Sequence, residues 1–179
     1  MESSDLPRVS DVVSPYEDTT WYDDISRERG TAVHRIIKAI LKGLWVPKHS
    51  LHQGYIDSFL GWKEEMVEEV ILVEEPLVCV ELGFRGRPDA ILKLKGDIGL
   101  SIPDWKTSAS ASVLMKKLWR LRTAGYRILA ESNGYKPICR CLDLLLNVDG
   151  KPARATAEGE LLDTAYFLRA LDLHRFFNS

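Results

Sequence analysis

Residues 89–107 read DAILKLKGDIGLSIPDWKT, and this stretch decides the fold. It contains two short runs of mainly apolar residues, Ala90–Leu94 and Gly99–Trp105, which are typical of β-strands. The tripeptide Lys-Gly-Asp at 95–97 lies between them and supplies residue types that favour a tight turn. We therefore predict that the two runs pair as an antiparallel β-hairpin.

Both ends of this hairpin carry acidic residues. Asp89 begins the first strand and Asp104 ends the second, so antiparallel pairing brings both carboxylates to one edge of the sheet. Lys106 is two residues from Asp104 and shares its face of the strand. Neighbouring carboxylates repel each other unless a divalent cation binds, and oxygen ligands suit Mg²⁺ or Mn²⁺. A lysine beside such a cation can activate water or stabilise phosphate charge, which predicts hydrolysis of a phosphodiester.

The rest of the chain divides into helical and extended segments around this hairpin. Apolar residues recur at helical spacing in four segments: 26–41, 53–70, 112–133 and 160–177. Further strands are expected in four short runs bounded by turn residues: 71–73, 77–80, 138–148 and 153–157. This order predicts a mixed α/β protein with a central β-sheet flanked by helices.

The charge of the chain is segregated. Residues 1–28 contain eight acidic and two basic residues, while the whole chain has a net charge of -2, so the remainder carries +4. A net charge near zero argues against a nucleic-acid-binding protein, but a positive remainder removes that objection. Because residues 1–20 show no clear hydrophobic period, we predict an acidic N-terminal arm at 1–25 and a single domain at 26–179.

Four motifs follow each other along residues 30–126. They are GTAVH at 30–34, EEPL at 74–77 with GFRGRPD at 83–89, IPDWKT at 102–107 and LRTAGY at 121–126. Together they resemble the GxxxH, GxxD, DxK and QxxxY motifs of the PD-(D/E)XK nuclease superfamily, and within it the RecB-type exonucleases, including phage-encoded ones. The resemblance implies a restriction-endonuclease-like core with the element order αβββαβ, and a DNA substrate.

The resemblance also implies a role for each matched residue. Asp89 and Asp104 would be catalytic acids that ligate Mg²⁺ or Mn²⁺, together with the backbone carbonyl of Trp105. His34 would be a further metal ligand, as in RecB-type members of the family. Lys106 would be the catalytic lysine.

Other matched positions leave alternatives open. Tyr126 lies four residues from Arg122, hence on the same helical face, and the family uses these positions to support catalysis or to contact DNA. The family prefers Gln at position 122; an arginine there can bind phosphate, or pair with a catalytic acid and alter metal binding. Glu74 either supports the site or is an acid in a turn. A lone histidine on a helix is more often structural, but His34 lies next to the apolar face of its helix and is expected to point toward the sheet, and the motif favours it as a ligand.

Basic residues near the hairpin are expected to contact the phosphate backbone of DNA. They flank the strand of Asp89 or lie on the helix after the DxK motif: Arg85, Arg87, Lys116, Lys117 and Arg120. Trp119 lies among them and could stack on unpaired bases, but burial in the core is the more common role of such a residue.

These features predict a Mg²⁺- or Mn²⁺-dependent deoxyribonuclease, an exonuclease of recombination, repair or DNA processing. The alternatives are a catalytically weak or inactive module that binds DNA or protein, and a hydrolase of RNA or small phosphate compounds. The expected partners are DNA and a recombination or single-strand-binding protein. The choice between exonuclease and endonuclease, and the oligomeric state, are left open.

Composition argues against several other classes of protein. The three cysteines, Cys79, Cys139 and Cys141, are too few for the four-cysteine iron–sulfur cluster of some RecB-type relatives, and we expect buried thiols. No run approaches about 18 uncharged apolar residues, so no membrane-spanning helix is expected. The first residues lack the features of a signal peptide, and we expect a cytoplasmic location in a bacterial or phage-infected cell, or association with the nucleoid.

Overall fold

The computed structural model describes residues 5–17, 23–48, 51–108 and 111–178, apart from the side chain of Ala157. Five α-helices lie in these ranges: α1 (Val9–Val13), α2 (Asp24–Leu41), α3 (Gln53–Met66), α4 (Val113–Ser132) and α5 (Leu161–Asn178). A short 3₁₀-helix, Ser14–Tyr16, follows α1. The same ranges contain seven strands: β1 (Val67–Val73), β2 (Leu77–Cys79), β3 (Phe84–Gly86), β4 (Ala90–Leu94), β5 (Leu100–Lys106), β6 (Ile138–Leu145) and β7 (Arg154–Glu158).

The main sheet is mixed and has the strand order β1-β4-β5-β6-β7. β4 pairs antiparallel with β1 and β5, β5 pairs parallel with β6, and β6 pairs antiparallel with β7. Leu92 opposite Ser101 and Lys93 opposite Leu100 fix the register of β4 against β5, which confirms the predicted hairpin. α4 is the crossover that the parallel pair requires. β2 and β3 form a separate antiparallel ribbon.

Helices cover both faces of this sheet. On one face, α2 and α3 pack against strand residues that include Leu92, Trp105 and Leu144. On the other, α1, α4 and α5 pack against the intervening residues, such as Ile91 and Ile102. Side chains of a strand alternate between faces, so a strand buried on both sides reads as a continuous apolar run. The predicted mixed α/β architecture, with a central sheet flanked by helices, is confirmed.

Polar caps set the starts of the two helices that carry site residues. The backbone N–H of Ser26 donates to the Asp23 carboxylate at 2.7 Å, so α2 begins two residues before the predicted start. At the start of α4, the backbone N–H of Met115 donates to Ser112 Oγ at 3.1 Å. The predicted boundaries of both helices therefore hold to within two residues.

The predicted helix 53–70 is wrong at its C-terminal end. α3 ends at Met66, and Val67 has extended backbone angles, with φ −87° and ψ 124°. The following residues form β1, whose β-branched side chains favour an extended chain. β1 is an edge strand, which lets Glu68 and Glu69 remain exposed. That pair of exposed acids imitates the polar face of a helix in the sequence.

The N-terminal segment differs from the predicted acidic arm at 1–25. α1 packs against α4 and α5 through three fully buried side chains: Val9, Val12 and Val13. Arg85 of β3 ties the segment down, because its backbone N–H donates to Pro7 O and its Nε donates to Leu6 O, both at 3.0 Å. A helix of five residues is too short to show a hydrophobic period, so its burial cannot be read from the sequence. Residues 1–4 and 18–22 of the predicted arm lie outside the described residues.

Smaller differences from the predictions concern one strand, one strand end and one thiol. β6 ends at Leu145, three residues before the predicted end of segment 138–148, and β3 was not predicted. Cys79 and Cys141 are buried, as expected, whereas Cys139 is exposed. Within the described part of the chain, none of the helices combines the length and the apolar character needed to cross a membrane.

Candidate active site

Asp89 and Asp104 lie at the same edge of the sheet, as the hairpin predicts. Leu92 of β4 pairs with Ser101 of β5, and three residues further along this antiparallel pair Asp89 lies opposite Asp104. The backbone N–H of Trp105 donates to Asp89 Oδ2 at 3.0 Å, which holds this carboxylate against β5. Asp104 itself is only 5% exposed. Two acidic side chains are therefore brought together in a largely buried position.

His34 of α2 lies beside these two carboxylates, and we call His34, Asp89 and Asp104 together the acidic group. The adjacent Val33 is fully buried under the sheet, which sets the rotation of the helix so that His34 reaches the sheet edge. His34 Nε2 lies 2.9 Å from the carbonyl oxygen of Trp105, and its Nδ1 lies 3.4 Å from Asp89 Oδ1. His34, Asp89 and the Trp105 carbonyl, which were predicted from separate motifs, are thus neighbours.

Lys106 shares its face of β5 with Asp104, and its Nζ donates a hydrogen bond to Asp104 Oδ2. Both side chains are nearly buried. Trp119 of α4 lies against the ammonium group, with Nζ 5.2 Å from the ring centroid, a favourable cation–π distance. Trp119 is buried, as the sequence favoured. Its contact with Lys106 makes it part of the site as well, which the sequence did not indicate.

Burial and mutual charge set the protonation of this group. Burial lowers the pKa of His34, but the carboxylates of Asp89 and Asp104 outweigh it and raise this pKa to about 9. Burial raises the pKa of Asp89, but His34 and the Trp105 N–H bring it down to about 2. Burial also raises the pKa of Asp104; Lys106 opposes that increase and the charge of Asp89 adds to it, so the net shift is upward. At neutral pH, His34 and Asp89 therefore form an ion pair.

Two cavities open on either side of the acidic group. The first, of about 400 Å³, has Asp89, Asp104 and Lys106 in its wall and is closed in part by the N-terminal segment. The second, of about 480 Å³, shares His34 and Asp89 with the first. Its wall also carries three basic side chains and one acidic one: Arg35, Lys38, Arg87 and Glu74. The acidic group is therefore accessible, and a basic surface adjoins it.

Arg122, the position where the chain departs from the motif, faces the first cavity. Its guanidinium donates to the carboxylate of Glu17, the residue after the 3₁₀-helix. Burial lowers the pKa of Arg122, but Asp104 and Glu17 raise it above its usual value, so the side chain stays charged. Tyr126 borders the same cavity, and burial together with the aspartates raises the pKa of its hydroxyl, which keeps it a neutral hydrogen-bond donor.

Glu74 lies at the wall of the second cavity and holds its neighbours in place. Lys38 Nζ donates to Glu74 Oε2 at 2.9 Å, and the Glu74 backbone N–H donates to Asp89 O at 3.1 Å. Its φ is 47°, in the left-handed region that residues other than glycine seldom adopt. This turn joins the end of β1 to the backbone of Asp89, while the Glu74 side chain pairs with Lys38.

The five basic residues predicted to bind DNA do not share one surface. Arg87 borders the second cavity beside the acidic group. Arg85 is bound by the N-terminal segment, and Arg120 makes two hydrogen bonds of 2.9 Å to a carboxylate of α5. Lys116 and Lys117 lie in the first two turns of α4, where Lys117 is exposed. Arg85 and Arg120 thus have structural partners, and Arg87 is the best placed of the five.

Asp143 is a residue of this region that the sequence interpretation missed. It lies on β6 directly beside Asp104 of β5 and is fully buried. Neither of its carboxylate oxygens has a hydrogen-bond partner among the described residues. Burial and the charge of Asp104 raise its pKa to about 8. The signal in the sequence is an acid inside the apolar run CLDLLL at 141–146, because a central strand seldom buries an unpaired charge.

The described residues contain no group of three or more His, Cys, Asp or Glu side chains already arranged as a metal site. The predicted donors are two carboxylates, one imidazole and a backbone carbonyl, and one of the carboxylates, Asp104, is paired with Lys106. Mainly oxygen donors, together with the unpartnered buried carboxylate of Asp143, fit Mg²⁺ or Mn²⁺ once Lys106 leaves Asp104 and His34 loses the proton that pairs it with Asp89.

Comparison of the sequence with models of known protein families finds no match, and neither does comparison with proteins of curated function. The resemblance to PD-(D/E)XK nucleases therefore stays a prediction.

Proposed function

We propose that the protein is a Mg²⁺- or Mn²⁺-dependent deoxyribonuclease of the PD-(D/E)XK type, acting as an exonuclease in recombination, repair or DNA processing. One observation carries the proposal: His34, Asp89, Asp104 and Lys106 converge at one edge of the sheet beside the Trp105 carbonyl. Burying several charged groups together is costly for stability, so such a group with perturbed pKa values favours a functional role.

The order of elements supports the same proposal. Six of them follow each other as helix, three strands, helix and strand: α2, β1, β4, β5, α4 and β6. This is the αβββαβ order that the motif resemblance implies for a restriction-endonuclease-like core. α3 and the β2–β3 ribbon are insertions into that order, and β7 and α5 follow it.

Four donors would hold the cation: Asp89, Asp104, His34 and the backbone carbonyl of Trp105. When bound, a divalent cation polarises a phosphoryl oxygen and lowers the pKa of a water ligand. Lys106 donates hydrogen bonds to the attacking water or to a phosphate oxygen, while the ring of Trp119 limits the directions that the ammonium can take. The buried position of this lysine strengthens its interaction with phosphate charge.

Three further side chains suit the binding of the DNA backbone. Arg87 lies beside the acidic group and Arg122 faces the first cavity, so each can donate to a phosphate oxygen. The hydroxyl of Tyr126 keeps its proton because its pKa is raised, and it can donate from the same wall as Arg122. The substitution of arginine for the glutamine of the motif then adds a positive charge where the substrate carries a negative one.

A second candidate function, a DNA- or protein-binding module without catalysis, is favoured by one observation. Lys106 and Arg122 are each paired with a carboxylate of the chain itself, Asp104 and Glu17 respectively. If both pairs persist when DNA binds, neither cation can act on a phosphate.

A cleavage assay with matched variants tests the proposal. Linear and circular DNA are incubated with Mg²⁺, Mn²⁺ or EDTA and with wild type, Asp104→Ala or Asp172→Ala, a control on α5 whose side chain is 79% exposed. We expect metal-dependent loss of linear DNA with wild type and with the Asp172 variant, and none with the Asp104 variant. Cleavage of circles would instead indicate an endonuclease. Salt-sensitive DNA binding without any cleavage would refute the enzyme and favour the binding module.

A further inference from the structure

Asp143 is an acidic residue that the proposed mechanism does not use. Its neighbours Leu142 and Leu144 pack on the α2 and α3 side of the sheet, so Asp143 faces α4. Asp104 and Lys106 share this face, and Asp104 is the residue directly beside Asp143 on the parallel strand. A fully buried carboxylate with no hydrogen-bond partner among the described residues destabilises the fold. We therefore expect a hydrogen-bond donor to reach the Asp143 carboxylate in another state of the site.

Three cationic side chains, those of Lys106, Arg122 and Arg120, lower the pKa of Asp143 by their charge. The charge of Lys106 lowers it most. Arg120 is held on α5 by two hydrogen bonds to Asp163 and by Glu160 at 3.2 Å. Arg122 is paired with Glu17, although its Nε has no partner among the described residues. The carboxylates paired with these two arginines are not among the proposed metal ligands.

Lys106 differs from the arginines because its partner, Asp104 Oδ2, belongs to the cation site. Lys106 competes with a cation for the lone pairs of this carboxylate, and leaving Oδ2 frees both oxygens of Asp104 for the metal. Adjacent strands lie about 4.8 Å apart, a distance that the flexible four-carbon stem of a lysine spans by a change of rotamer. The carboxylate of Asp143 is then the acceptor next to the one that Lys106 gives up.

We infer that Asp143 is a positioning residue for Lys106, which transfers its hydrogen bond from Asp104 to Asp143 when Asp104 becomes a metal ligand. The inference rests on the proposed function, since it needs a cation at Asp104. Asp143 thereby removes the competition for Asp104 and keeps the ammonium beside the reacting phosphate. A site without this second acceptor would have to leave a buried ammonium unpaired, or bind its cation weakly.

A double-mutant cycle on metal affinity tests the inference without DNA or catalysis. Binding of Mn²⁺ is measured by isothermal titration calorimetry for wild type, Asp143→Asn, Lys106→Met and the double variant. Asp143→Asn should weaken binding about tenfold when Lys106 is present, and less than about twofold when it is methionine. Equal losses in both backgrounds would mean that Asp143 acts on the cation by charge alone, and would overturn the inference. A parallel cycle that combines Asp143→Asn with Arg122→Gln should show no coupling. Coupling in that cycle would mean that Asp143 acts on Arg122, and it would also overturn the inference.

A second measurement uses the wild type alone and does not depend on the folding of any variant. In protein with ¹³C-labelled lysine, the ε-methylene protons of Lys106 should gain a nuclear Overhauser effect to the β-methylene protons of Asp143 when Ca²⁺ is added. No change on saturation with Ca²⁺ would contradict the transfer. If the wild type binds neither Mn²⁺ nor Ca²⁺, the proposed function fails and the inference with it. If it binds them and the cycle is additive, the inference alone fails.

Discussion

Replacing Asp143 by Asn should change how the stability of the metal-free protein depends on pH. The buried carboxyl of Asp143 has a pKa of about 8, raised from 3.8 by burial and by the charge of Asp104. A carboxyl whose pKa is higher in the folded protein binds its proton more tightly there than in the unfolded chain. Its contribution to stability is therefore fully present below about pH 4 and is lost as the pH rises towards 8.

The size of the effect follows from the width of this pH window. Between the two pKa values, each pH unit changes the free energy of unfolding by about 1.4 kcal/mol, because the unfolded chain has released a proton that the folded protein retains. A rise from about pH 5 to about pH 7 should therefore cost the wild type roughly 2–3 kcal/mol relative to a variant without this group. Asn has nearly the same shape as Asp and carries no charge, so the variant should lack this loss.

Urea unfolding in EDTA, followed by fluorescence or circular dichroism, measures the effect. The free energies of unfolding of wild type and Asp143→Asn are compared across the pH window, with Asp172→Asn as an exposed control on α5. A pH-independent offset reports the packing of the amide, and only the change of the difference with pH reports the titration of Asp143. If wild type and Asp143→Asn lose stability in parallel, Asp143 does not bind its proton more tightly in the folded protein and the reasoning is refuted.

Three further predictions concern His34, Glu17 and Gly86. The pKa of His34 is about 9, so Mn²⁺ should bind more tightly as the pH rises towards 9, and His34→Gln should flatten this dependence in calorimetric titrations. Glu17→Gln removes the charged partner of Arg122, so the slope of log DNA affinity against log salt concentration should become steeper by about one phosphate contact. An unchanged slope would exclude Arg122 from DNA binding. A Cβ on Gly86 would lie 2.8 Å from the nearest side-chain carbon, so Gly86→Ala should lower the free energy of unfolding, measured by urea unfolding, by about 1–3 kcal/mol. At Gly30 the nearest atom is 3.8 Å away, and alanine there should be tolerated.

The hairpin and its charged ends could be predicted because they depend on local patterns. Apolar runs and a turn tripeptide set the pairing of β4 with β5, and the pairing then determines where Asp89, Asp104 and Lys106 lie. The helix face around His34 follows in the same way from the spacing of its apolar neighbours. Each of these predictions needs information from only a few consecutive residues.

What could not be predicted depends on contacts between distant segments. α1 has only five residues, and its burial depends on α4, α5 and β3, which lie far away in the sequence. The boundary between α3 and β1 depends on the edge position of β1, which exposes Glu68 and Glu69. The pairing of Glu17 with Arg122 likewise joins residues more than a hundred positions apart. Asp143 was visible as an acid in an apolar strand, but its neighbour on β5 was not.

The acidic group makes a net charge of -2 compatible with the DNA substrate that we propose. Asp143 has a raised pKa, His34 is protonated at neutral pH and Lys106 pairs with Asp104, so protons and this ammonium group compensate much of the negative charge at the edge of the sheet. A divalent cation would compensate the same charge, and protons and cation are therefore alternative occupants of one site. Low pH then favours a metal-free state that is stabilised by protonated Asp143, whereas high pH destabilises that state and strengthens metal binding. One set of side chains accordingly links the stability of the metal-free protein to its affinity for the cation, and the two should change with pH in opposite directions.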